Sequence, residues 1–194
     1  MYKTIFCRRA LLAVTAIAVT VTSLSHPVSA QAAAGAYRVL VTNERGGTLS
    51  VIDGVSRKVV TTVPLGKRPR GLKVSPDGKL LYVALSGSPI AGPGVDESKL
   101  PPADKGADGI GVVDLATLKL SKILRGVSDP EQLAVSADGK RLYIASEDTG
   151  QGIVIDTATG KTITSLPVGG EPEGVTLSPN GKFVYISSEE DHRI

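Results

Sequence analysis

Ser75-Pro-Asp-Gly-Lys-Leu-Leu-Tyr-Val83 returns twice further along the chain, as Ser136-Ala-Asp-Gly-Lys-Arg-Leu-Tyr-Ile144 and Ser178-Pro-Asn-Gly-Lys-Phe-Val-Tyr-Ile186. The copies start 61 and 42 residues apart. Val51-Ile52-Asp53, Val112-Val113-Asp114 and Val154-Ile155-Asp156 repeat those two spacings, as do Pro69-Arg70-Gly71, Pro130-Glu131-Gln132 and Pro172-Glu173-Gly174. Three separate markers in one order define a unit of 42 residues, with 19 extra residues in the second copy between Ser86 and Asp108.

Each unit reads as four short strands. Leu72-Lys73-Val74 leads into Ser-Pro-Asp-Gly, where Pro at the second position and Gly at the fourth suit a type I turn in a hairpin. Leu80 to Leu85 is mostly apolar, as a strand covered on both faces should be. Third strands end in Asp at Asp53, Asp114 and Asp156, and a fourth follows a turn such as Thr157-Ala-Thr-Gly160. Capping of turn amides accounts for those aspartates. Tyr82, Tyr143 and Tyr185 recur once per unit and read as packing residues. The composition fits: 41% apolar, 4% aromatic, 22 Gly and 12 Pro in 194 residues. No helical period appears after the N-terminal segment. Four strands in about 40 residues is the signature of a β-propeller blade, so the expected class is all-β, with a stacked β-solenoid as the rival.

Lys3, Arg8 and Arg9 precede the apolar run Ala10 to Leu24 and the small residues Val28-Ser29-Ala30. This is the order of a secretory signal, residues 1–30, and its core is too short for a membrane span of about 20 residues. Arg8-Arg9 weakly resembles a twin-arginine signal. Removing the segment takes three basic residues and no acidic one, so 22 basic against 19 acidic residues come into balance. The footprint of a nucleic-acid binder goes with it, and no later segment could span a membrane. Cys7 leaves as well, which excludes disulfides and thiolate zinc sites from the rest.

The units resemble those of the YVTN family of β-propellers, on Pro172-Glu-Gly-Val-Thr-Leu-Ser-Pro-Asn-Gly-Lys-Phe-Val-Tyr-Ile186, on Gly152-Ile-Val-Ile-Asp-Thr-Ala-Thr-Gly160 and on Val41-Thr42-Asn43. The resemblance runs from Tyr37 to Ile194. Arg68-Pro69-Arg70-Gly71, Asp129-Pro130-Glu131 and Glu171-Pro172-Glu173-Gly174 are most similar to a branch associated with pyrroloquinoline-quinone-dependent alcohol catabolism. That resemblance implies a periplasmic or secreted protein, a seven-bladed ring, and a dehydrogenase or transport component as partner. The expected blades are 37–66, 67–126 with the insertion 86–108, 127–169 and an incomplete 170–194. The strands, thirteen in all, are too few to close a four-bladed ring, so an N-terminal part of a larger propeller is expected.

Strand direction assigns loops to faces. The loop entering each unit and the loop between its second and third strands share one face, the usual ligand face. Arg68, Arg70, Glu131, Glu171 and Glu173 belong to the first set. Glu44, Glu147, Asp148, Glu189 and Glu190 belong to the second, with Asp96, Glu97, Asp104 and Asp108 in the insertion. Arg70, Glu131 and Glu173 hold one repeat position and should point toward one mouth, offering an Arg flanked by carboxylates to a polar ligand or partner. The insertion reads as a lid or docking loop. A calcium site from its four acids lacks the dense Asp-x-Asp spacing.

Catalytic constellations are poor. His192 is the one His left after the signal, and Gly-x-Ser-x-Gly is absent. No cofactor and no catalytic residue are assigned. The expected function is a non-catalytic periplasmic propeller, accessory to quinone-dependent alcohol oxidation. The alternatives are a lactonase-like hydrolase whose catalytic groups lie in further blades, and a cell-surface interaction array.

Overall fold

The computed structural model describes residues 37–194, and the expected signal segment lies outside the described residues. Thirteen strands form four antiparallel sheets. The first sheet holds β1 (Arg38–Asn43), β2 (Thr48–Asp53) and β3 (Val59–Pro64). The second holds β4 (Pro69–Val74), β5 (Leu80–Leu85), β6 (Gly109–Asp114) and β7 (Lys119–Leu124). The third holds β8 (Pro130–Val135), β9 (Arg141–Ser146), β10 (Gln151–Asp156) and β11 (Thr162–Pro167). The fourth pairs β12 (Pro172–Leu177) with β13 (Val184–Ser188). Every sheet is a meander in chain order, as in successive propeller blades. Two single-turn 3₁₀ segments, Glu97–Lys99 and Glu147–Thr149, are the only helical pieces among the described residues, and no helix there is long and apolar enough to cross a membrane.

Burial explains why the second strands are so apolar. Along β5, Leu81, Val83 and Leu85 pack with Leu49, Val51 and Val63 of the first sheet. Tyr82 and Ala84, on the other side of the pleat, pack with Leu133, Leu142 and Ile144 of the third. One strand thus fills two inter-sheet cores, which removes any polar alternation. Each sheet relies on its neighbours to bury its faces.

The first strand of each unit starts earlier than the sequence suggests. It begins on the proline itself, at Pro69, Pro130 and Pro172, and pairing skips between Pro69 and Leu72 and at the equivalent places. Proline has no amide to donate, so it fits at a strand start or beside an irregularity. Gly71 sits in that irregular stretch. A Cβ there would lie 2.6 Å from the Glu131 carbonyl oxygen, so the close approach of β4 to β8 requires glycine.

The Ser-Pro-Asp-Gly turns form as expected. The Gly78 amide donates to Ser75 O at 2.9 Å, and Gly78 takes a left-handed φ of 70°. The terminal aspartates cap the next turns: the Ser56, Thr117 and Thr159 amides donate to Asp53, Asp114 and Asp156 at 2.6, 2.7 and 2.7 Å.

Candidate functional site

The residues before the three unit-opening prolines share an unusual backbone. Arg68, Asp129 and Glu171 have φ of 39°, 44° and 45°. L-residues avoid this region, so each position stores strain. Their carbonyls accept from Ser86, Glu147 and Glu189 at 3.3, 3.0 and 3.0 Å, the residues that follow the second strands. This arrangement ties the two loop sets of each unit together and brings their side chains to one face.

Arg70 lies at the centre of that face. Its Nη1 donates to Glu147 at 2.6 Å and approaches Asp129 at 3.4 Å, its Nη2 pairs with Glu131, and its Nε is 4.0 Å from Glu44. Arg70, Glu131 and Asp129 are almost fully covered, with 12%, 13% and 6% of their side chains exposed. The sequence reading had Arg70 offer its guanidinium to a ligand. Its donors are instead held by carboxylates from β8 and the adjoining loops, so it works as an internal clamp between sheets. Arg68 donates to Glu44 at 2.8 Å.

Glu173, the third residue at this repeat position, faces carboxylate company. Burial first, and then the adjoining Glu189 carboxyl, push its pKa above the usual range, while Arg70 pulls the other way. Around the mouth Glu44, Asp129, Glu131 and Glu147 already outnumber Arg68 and Arg70.

The insertion between β5 and β6 is pinned to its surroundings. Buried Asp108 accepts from the amides of Gly87 and Asp129 at 2.6 and 3.1 Å. Lys67 holds Asp104 at 2.7 Å, Lys105 pairs with Asp148, and Arg125 donates to the Gly106 and Asp108 carbonyls at 2.7 Å each. Burial disfavours charge on Asp148, but hydrogen bonds from Lys105 and Ser128 outweigh it and hold the carboxyl below its ordinary pKa. Asp96 is exposed and pairs locally with Ser98 and Lys99. Glu97 opens the 3₁₀ turn of the same loop. Among the described residues no group of three or more acids or histidines is placed to hold a metal ion, and Asp96, Asp104 and Asp108 point to separate partners.

Between the insertion and the third and fourth sheets lies a cleft of about 770 Å³. Asp129, Glu147, Asp148, Glu171 and Glu190 line one side with Arg68, and Pro89, Ala91, Leu100 and Pro101 line the other. Arg68, Glu147, Asp148 and Glu171 of the sequence-derived candidates meet here. Arg70 and Glu131 stand behind them as an ion pair, and Glu173 and Asp96 lie outside the lining. Glu190, which its loop places on this face, lines the cleft too, and Asp129 is the acid of the lining that the loop sets leave out. The position before the unit-opening proline was the available signal for Asp129, because Arg68 and Glu171 occupy its equivalents.

No family model matches the chain, and no curated protein does. Among solved structures, Kuenenia stuttgartiensis hydrazine synthase is similar over 77% of this chain, with a TM-score of 0.59 and 24% identity. The match covers 40% of that protein's chain, so this chain spans less than half of its length. At that identity the likeness extends to the fold alone.

Proposed function

We propose that the chain is a non-catalytic binding propeller that works outside the cytoplasm and takes a basic segment of a partner protein into the cleft beside Arg70. The observation that carries this reading is the convergence of five carboxylates from four separate loops on one cleft that also has an apolar wall. A lysine or arginine side chain presents a cationic head and an aliphatic stem, which matches those two walls. Saturation of Arg70 by its own carboxylates argues against an anionic ligand at the mouth. Similarity to the YVTN branch linked to quinone-dependent alcohol oxidation favours a periplasmic dehydrogenase or transport component as the partner.

Titration of the purified chain with a fluorescent oligolysine peptide tests the cleft. Salt-sensitive binding that falls in Glu147→Gln and Asp148→Asn supports it. Binding indifferent to those changes refutes it. Deletion in cells tests the accessory role, and unchanged alcohol oxidation would remove it.

A further inference from the structure

The face opposite the acidic cleft has its own regularity. It is built from the turns joining first to second strands and third to fourth strands. Each of the six turns ends on a lysine: Lys79, Lys140 and Lys182 in the first kind, Lys58, Lys119 and Lys161 in the second. All six are exposed. Lys79 has Asp77 at 3.9 Å, and the other five form no ion pair among the described residues. The aspartates on this face are turned into the backbone. Asp77 and Asp138 accept from the amides of Lys79 and Lys140 at 3.1 Å each, as Asp53, Asp114 and Asp156 do in the other turns.

The turns are also bonded to one another. The Leu115 amide donates to Lys79 O at 2.9 Å, and the Thr157 amide donates to Lys140 O at 3.0 Å. These bonds tie together the two turns of each sheet, and across the face the six lysines with Arg57 and Arg141 outnumber the five aspartates, which leaves it net positive. Exposed apolar groups stand among the lysines: Val55 within a turn, Val74 and Phe183 at strand ends, and Tyr37, whose carbonyl accepts from Gly54 at 2.8 Å.

We propose that this face rests on anionic phospholipid headgroups. Exposed ammonium groups are drawn to an anionic bilayer surface, and neighbouring aromatic and aliphatic side chains gain by entering the headgroup boundary. A nucleic acid would satisfy the lysines but not Val55, Phe183 and Tyr37. The carboxylates of the other face are repelled by the same surface, so the charge distribution turns the acidic cleft away from the bilayer. Apposition of this kind needs no spanning segment.

Co-sedimentation of the purified chain with vesicles is the test, comparing phosphatidylcholine alone with an equal mixture of phosphatidylcholine and phosphatidylglycerol. The chain should pellet with the anionic vesicles only and be released by added salt. The Lys119→Gln/Lys140→Gln/Lys161→Gln variant should bind about a hundredfold more weakly with an unchanged melting temperature. The corresponding triple arginine variant should keep binding. Equal binding to both vesicle types, or full binding by the glutamine variant, overturns the proposal. Binding to single-stranded DNA without binding to vesicles overturns it in favour of a nucleic-acid face.

Discussion

Arg70 on β4 donates to Glu147 at 2.6 Å, a residue 77 positions later that follows the second strand of the next sheet. The bond locks adjacent blades at the mouth, where strand pairing does not reach. Removing the guanidinium leaves Asp129, Glu131 and Glu147 close together without a counter-charge. Arg70→Ala should lower stability by about 3 kcal/mol in denaturant titration, because uncompensated buried carboxylates are expensive. Arg70→Lys should recover only part of the loss, since an ammonium cannot hold several carboxylates in a planar fork.

Leu124 and Leu166 hold the same repeat position, yet Leu124 is 6% exposed and Leu166 60%. Leu124 is covered by the third sheet. Leu166 lines an apolar groove of about 470 Å³ with Val154, Tyr185 and Ile186, beside the two-stranded fourth sheet. Leu124→Ala should destabilise by about 3 kcal/mol. Leu166→Ala should stay within about 0.5 kcal/mol of the parent. Paired thermal and urea melts check the contrast.

Gly78 has a left-handed φ of 70° and nothing within 4 Å of where a Cβ would sit. Gly78→Ala therefore isolates the backbone effect from any clash. A loss of about 1 kcal/mol is expected from equilibrium unfolding.

Asp108 is the buried anchor of the insertion, 3% exposed and bonded to two amides. Asp108→Ala should release the loop from Ser88 to Ala107 and cost about 2 kcal/mol. Limited proteolysis should then cut within that loop first, whereas the parent resists there.

Glu173 titrates above its ordinary range, pushed there by burial and by Glu189. A carboxyl whose folded pKa is raised favours the folded state while protonated, and that contribution is lost as pH rises through the folded value. Glu173→Gln keeps a neutral group at every pH. The variant should melt higher than the parent at neutral pH, with the gap closing toward pH 4. The gap will be small, because Glu173 is only partly desolvated and solvent screens its neighbours. Differential scanning calorimetry across that range reads it.

Two levels of this molecule were legible to different depths. The strands from β1 to β13, the Ser-Pro-Asp-Gly turns and the capping aspartates follow from local pattern, because turn chemistry and strand burial repeat with the 42-residue unit. The loop faces also followed, since an antiparallel meander alternates its ends. The early strand starts at Pro69, Pro130 and Pro172 did not, because irregular pairing beside proline depends on how closely the inner strands approach.

The sequence by itself determined the blade, its repeat and the face on which the charged loops gather, since these depend on residues close along the chain. Only the tertiary structure decided that Arg70 is a clamp, that Asp129 belongs to the cleft and that Leu124 is buried where Leu166 is not. Those outcomes depend on which neighbouring sheet stands within a few ångströms, and partners 59 or 77 residues apart leave no mark in a local pattern.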